Sequence, residues 1–471
     1  MIDRRAVLSM GGSSLLLAAA RAWPGAGSSS ARLEGPLAEP GKGLLLWGVD
    51  ANGYLAEEFL MRGAADVYES VSMADAVDTN TRDNIADQAQ RTFPLKLAAA
   101  ARPYCTRLVV YRPAQASRFS GTVLMEPTHP IAGGTNIVWR DINAFFMDRG
   151  DAYVAVQHPA TLPGLAQADT ARYGSLSAVH PSQLWGMLAD AGRLVKGAKP
   201  VLLGGSRPRR LYMTGYSFTG VATATFADYH HDGTRLPGGA PVFDGYMPMA
   251  NAMFVKPLDV PVMRLNTQSD FDSFGGLNNR APDSARFRHY EVAGAAHVWT
   301  ERPQAGEAVP PKGPPIAPPP GQPHLDPASC FTQFPAGYKP NDFPLNLVMT
   351  QAFVNLYDWV ERGMAPPPSA HIEIDAQGQT RVDANGNALG GVRLPEVSVP
   401  SATYGVAQGT LCFLFGYRLP FDASKLKQLY GNKDTYVAKV AEAAKQLVAQ
   451  RLIQQKGAEE LTRLAGLIDP F

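Results

Sequence analysis

The sequence predicts an α/β fold with a mainly parallel central sheet, followed by a C-terminal cap and helical extension. Three observations carry that reading. Short apolar strands alternate with helical patterns between residues 121 and 292, an order that covers both faces of parallel strands with helices. Each strand stops just before a polar loop, where open α/β sheets hold their ligands. One of them, in LYMTGYSFTGVATATFADY (211–229), runs through a turn of small residues into a helical pattern.

Residues 1–30 read as an export signal. Arg4 and Arg5 precede a short apolar stretch, Met10 to Ala20, and small residues from Pro24 to Ser30. Paired arginines in that setting resemble a twin-arginine signal, so a periplasmic or secreted protein is expected. The stretch is short and glycine-rich, and no other apolar run reaches membrane length, which argues against stable membrane insertion. The core is expected over 43–300. Its first part, Gly43 to about Pro113, alternates apolar and polar residues as an antiparallel lead into the sheet. Strands then follow at 121–126, halted by Pro127, at 151–156, halted by Gln157-His158-Pro159, and at 210–213, 242–247, 261–267 and 288–292. Helical patterns fill the intervals at about 135–150, 181–196 and from Ser217 to about Tyr229.

The region 301–471 changes character. VPPKGPPIAPPPGQP (309–323) cannot form helix or inner strand and reads as a polyproline loop. Trp299, Phe331, Phe334, Tyr338 and Phe343 supply aromatic residues for a cap over the site. Helical patterns return at Leu345–Glu361 and over Ser424–Leu467, where Val437, Val440, Ala444 and Val448 are spaced for one buried face. Asp383 to Asn387 has oxygen ligands at alternate positions but lacks the later glycine and glutamate of a calcium loop, which favours a turn.

With 471 residues, 45% hydrophobic, 18% charged and a formal net charge of +1, the chain can bury a large core as one large or two medium domains. The absence of a dense Lys/Arg block excludes nucleic acid as the main partner. Three cysteines in an oxidising compartment permit one disulfide. Cys105, in the strand-like YCTRLVVY, reads as a buried small residue, and Cys330 and Cys412 are expected to pair.

Ser217 is the candidate nucleophile. A serine hydroxyl becomes reactive when a sharp strand-to-helix turn holds it beside a base, and that turn needs small neighbours. Gly215, Thr219 and Gly220 meet the demand, although the common G-x-S-x-G pattern has its second glycine at 219. A serine capping a helix is the competing reading. Partners follow at the next strand ends: Asp270 lies 270 − 217 = 53 residues on, and His297 lies 297 − 270 = 27 further. The order serine, acid, histidine is that of the α/β-hydrolase fold. Asp272 is the alternative acid, and His230 and His231 are expected only to face the end of the serine's helix. An oxyanion formed at Ser217 needs donors, expected from the Phe218 N–H and from Thr128 or His129.

Several segments together resemble the secreted bacterial "alpha/beta hydrolase domain" family of esterase-like proteins: RFSGTVLMEP, ARYGSL, GYSFTG, RFRHYEVAGAAH, GNALGGVRLPEVSVPSATY and LCFLFGYRLPF. That family usually shows G-x-S-Q-S followed by Gly or Ala, so Gly220 falls at its small residue, while Phe218 and Thr219 depart from it. Where the family usually has Glu-Trp-Leu-Asn, this chain has Glu126-Pro127-Thr128-His129. The resemblance implies Ser217, Asp270 and His297 as a catalytic triad, matches Cys330 and Cys412 to family cysteines, and implies no particular substrate. The expectation is a serine hydrolase acting on a small-molecule carboxylic ester without metal or organic cofactor. The other readings are acyl transfer from the same acyl-serine and a non-catalytic binding protein on a hydrolase scaffold.

Overall fold

The computed structural model describes residues 31–38, 49–69, 95–130, 134–197, 201–274, 280–299, 335–406, 414–469 and 471. The export signal, the proline-rich stretch, Phe331, Phe334, Cys330 and Cys412 lie outside these residues.

A nine-stranded sheet organises the chain. Its strands are β1 (Arg32–Glu34), β2 (Tyr54–Glu69), β3 (Lys96–Pro113), β4 (Thr122–Pro127), β5 (Ala152–Val156), β6 (Arg210–Tyr216), β7 (Gly245–Met249), β8 (Val262–Thr267) and β9 (Phe287–Val292). They lie in the order β1-β2-β3-β5-β4-β6-β7-β8-β9. The first four in space pair antiparallel, and from β5 to β9 every pairing is parallel. The expected antiparallel lead and parallel body are therefore both present.

Parallel strands buried on both faces read as continuous apolar runs, and their side chains still alternate between faces. In β4, Val123 and Met125 join one buried cluster with Met187 and Leu188, from the helix Leu184–Lys196 on that side. Leu124 joins the other cluster with Trp139, Phe146, Phe353 and Leu356. Those four come from α1 (Ile137–Arg149) and from a helix far along the chain, Leu345–Arg362. The latter helix is thus part of the sheet's cover. Phe343, expected on a cap, is fully buried in the same cluster.

Among the boundaries that differ from expectation, two have a visible cause. The strand expected at 242–247 begins at Gly245, because Val242 and Phe243 are buried against the 184–196 helix and the Asp244 carboxylate accepts the Leu211 N–H at 2.7 Å. The single helical segment expected over 424–467 is three helices, Ala423–Tyr430, Lys433–Ala449 and Gln455–Gly466. Gly431, at φ 78°, and the Asn432 side chain, which accepts the Thr435 N–H at 2.9 Å, end one and begin the next. The buried face of the middle helix is Tyr436, Val440, Ala444 and Leu447. The Asp383 turn is present, with the carboxylate accepting the N–H groups of Asn385 (2.8 Å) and Asn387 (3.1 Å).

Candidate active site

The site forms at the carboxyl ends of β6, β8 and β9. After β6 the chain turns at Ser217, with φ 60° and ψ −126°, and enters the helix α2 (Phe218–Thr225). A non-glycine residue held there costs about 1–3 kcal/mol, so its surroundings must impose it. They do so through the Ser217 N–H, which donates to Met249 O at 3.1 Å, and the Tyr216 N–H, which donates to Thr219 Oγ1 at 2.8 Å. The displaced glycine also has a steric reason. A Cβ on Gly220 would lie 2.0 Å from Met249 O, and one on Gly215 would lie 2.1 Å from Thr219 O. Position 219 carries no such demand, and its threonine hydroxyl is used as a clamp on Tyr216.

His297 Nε2 lies 2.9 Å from Ser217 Oγ, and its Nδ1 lies 2.5 Å from Asp270 Oδ1. An ionised carboxylate can only accept, so the proton sits on Nδ1 and Nε2 is left to take one from the serine. Asp270 is fully buried, and its other oxygen accepts the Thr267 N–H at 2.7 Å and the Thr267 hydroxyl at 2.8 Å. Asp272 faces away from the histidine: it accepts the Thr380 hydroxyl at 2.5 Å and the Gln268 amide at 3.3 Å. The Tyr216 hydroxyl donates to the His297 carbonyl at 2.8 Å, and Gln268 Oε1 accepts the Gly294 N–H at 2.8 Å, tying the two loops together. Tyr216, Thr267 and Gln268 went unnoticed in the sequence, where nothing distinguishes them from ordinary strand-end residues.

Thr128 and His129, expected to offer a second donor, both have their backbone N–H groups engaged elsewhere. The Thr128 N–H donates to Val156 O at 2.8 Å and the His129 N–H to Thr135 O at 2.8 Å. Both are engaged in holding the loop after β4. The His129 ring, however, lies edge-on to the Phe218 ring at 5.6 Å. Burial pushes this imidazole down to about 3, helped by His297, His158 and Arg140, and burial alone takes His158 down to about 4. Both are neutral near pH 7. His230 and His231 also do more than face a helix end. The helix runs on into a wider turn, Phe226–His230, and His231 bonds the Tyr246 hydroxyl (2.9 Å) and Asp259 (2.5 Å).

Among the described residues, His289, Glu291 and His371 hold ligand atoms within 4.8 Å of one another. Glu291 already receives Arg280 through two bonds of 2.8 and 2.6 Å, and Arg264 and Arg280 add positive charge against the buried His289. That charge opposes a bound cation. No helix among the described residues is long and apolar enough to cross a membrane.

The fold is that of the α/β hydrolases, with helices on both faces of a mainly parallel sheet and the serine turn at its centre. The chain belongs to the family described as "Alpha/beta hydrolase domain", whose model matches residues 25–463. No curated protein matches it. Solved structures similar to it include an alpha-beta serine hydrolase homologue from Coxiella burnetii, 15% identical with a TM-score of 0.27, covering 41% of this chain and 84% of that one. Another is a cold-adapted esterase from an Arctic intertidal metagenomic library, at 10% identity and a TM-score of 0.24, covering 50% and 84%. A third, the S-formylglutathione hydrolase of Staphylococcus aureus, is 10% identical with a TM-score of 0.23, covering 49% and 89%.

Proposed function

We propose that the protein is a periplasmic or secreted serine hydrolase that cleaves carboxylic esters through an acyl-enzyme on Ser217. The hydrogen-bonded series Ser217–His297–Asp270, at 2.9 and 2.5 Å, is the observation that carries this reading. In the first step the Ser217 oxygen attacks the ester carbonyl while His297 Nε2 takes its proton. Asp270, fixed by Thr267, holds the imidazole tautomer and stabilises the imidazolium. The tetrahedral intermediate collapses, the C–O bond to the alcohol breaks, and His297 returns the proton to the leaving oxygen. Water then repeats the sequence on the acyl-serine and releases the acid.

The negative oxygen of each intermediate lies within reach of the opening turn of α2. The Phe218 N–H is unpaired within its helix by its place at the first turn. The second donor in this reading comes from the loop after β4 that carries Thr128 and His129, whose His129 ring lies beside Phe218. Losing one such donor typically costs about 3 kcal/mol in the barrier. Hydrolysis of p-nitrophenyl esters of graded acyl length tests the proposal. Ser217→Ala should abolish turnover, and added alcohol should leave the acid as the product; an ester product instead would make the protein an acyltransferase.

A further inference from the structure

Glu126 is a carboxyl group with no exposure to solvent at the end of β4, and it takes no part in the proton transfers above. Its hydrogen-bond partners among the described residues are donors. The Tyr153 hydroxyl of β5 donates to Oε2 at 2.5 Å, and the Val138 N–H at the start of α1 donates to Oε1 at 3.3 Å. The Trp139 N–H and the Asn136 side chain add to the set. The Thr219 hydroxyl, in the first turn of the serine's helix, lies 3.4 Å from Oε1. Arg140, on α1, is the cation that feels this carboxyl, and it is itself paired with Asp141 at 2.6 and 3.0 Å.

Thr219 Oγ1 has one hydrogen and three oxygen or nitrogen neighbours. It accepts the Tyr216 N–H at 2.8 Å, and it can donate either to Tyr216 O at 2.8 Å or to Glu126. An ionised Glu126 draws the hydroxyl hydrogen and leaves the lone pairs to Tyr216, the residue immediately before the strained serine. A protonated Glu126 must instead donate to one of its own former donors, Thr219 or Tyr153, and that contact is reorganised.

We propose that Glu126 is a positioning residue for the site, acting through Thr219 to hold the turn at Tyr216-Ser217 in its working geometry. The proposal rests on Ser217 being the nucleophile. It also gives position 219 a chemical requirement: a hydroxyl, which the serine usual in the family would supply equally well. Burial raises the Glu126 carboxyl to about 7 against the pull of its donors. Its charge therefore changes near neutral pH, and its ionised form is favoured as pH rises.

The test is the rate at which a fluorophosphonate acylates Ser217, measured beside ester kinetics and thermal midpoint in the full-length protein. Glu126→Gln keeps the shape and removes the charge. Misplacement of a reacting group by a fraction of an ångström is enough to slow it about tenfold or more, so kcat and labelling should fall by that factor while KM is unchanged. Below pH 7, kcat/KM of the parent should fall as Glu126 takes up its proton. In Glu126→Gln that contribution should be missing from the profile. Thr219→Val should show the same loss, Thr219→Ser should recover most of it, and Glu126→Gln with Thr219→Val should be no slower than either alone.

Labelling of Glu126→Gln at the parent rate with an unchanged pH profile overturns the proposal, as does equal activity of Thr219→Val and Thr219→Ser. If Glu126→Gln does not fold, the Thr219 pair decides by itself. A parent protein that takes no label at all would instead overturn the nucleophile reading.

Discussion

Asp270 Oδ1 lies 2.5 Å from His297 Nδ1, while Asp272, two residues on, turns its carboxylate to Thr380 and Gln268. By sequence Asp270 was the expected acid and Asp272 the alternative. They separate because Gln268–Phe274 is helical, so residues two apart cannot face the same neighbour. Asp270→Asn should therefore lower kcat by about 10³–10⁴-fold, as expected for loss of the group that fixes the imidazole tautomer. Asp272→Asn should leave kcat close to that of the parent. Steady-state kinetics on both variants checks this, and the reverse ranking would move the acid to Asp272.

Gly220 packs directly on the carbonyl of Met249. Its replacement by alanine sets a methyl group 2.0 Å from that oxygen, and since both partners are backbone the turn or β7 must shift. Gly220→Ala should lower stability by about 3 kcal/mol. Denaturant melts would show it, together with loss of Ser217 reactivity in whatever folds.

Acid should destabilise the protein through its buried neutral histidines. His158 is held at about 4 by burial, below its value in an unfolded chain. Above pH 6.5 both states are neutral and nothing is gained or lost. As pH falls from about 6.5 to 4 the unfolded chain takes up a proton that the native site refuses, so stability drops with falling pH. His158 Nδ1 caps a short turn by accepting the Ala160 N–H at 3.1 Å, which an asparagine can also do. His158→Asn should thus reduce the slope of stability against pH in that window by about 1.4 kcal/mol per pH unit. Chemical melts between pH 4.5 and 7 measure it, and an unchanged slope would mean that this imidazole charges in the native state.

Thiol counting addresses the cysteines. Cys105 is a buried free thiol, and the pairing of Cys330 with Cys412 expected from the sequence is open to test. Mature protein, unfolded without reductant, should then yield one titratable thiol; three would rule the pairing out.

The sheet was legible in the chain because apolar strands alternating with helices leave few other arrangements. The serine, acid and histidine were legible because each follows a strand end. What a partner strand imposes was not. The reason for glycine at 220 lies in Met249, twenty-nine residues later, and the engagement of the Thr128 and His129 N–H groups depends on Val156 and Thr135. An amphipathic pattern at 345–361 says that one face is buried but not against what, so the helix's place on the sheet emerged only from the fold. Glu126 was visible as a motif residue, yet its surrounding donors come from three separate elements.

The central claim is that Ser217 is an activated nucleophile. Native protein treated with a fluorophosphonate and digested should carry one adduct, on the peptide containing Ser217, and heat-unfolded protein or Ser217→Ala should carry none. An unlabelled native protein, or an adduct on a different residue, would contradict the account.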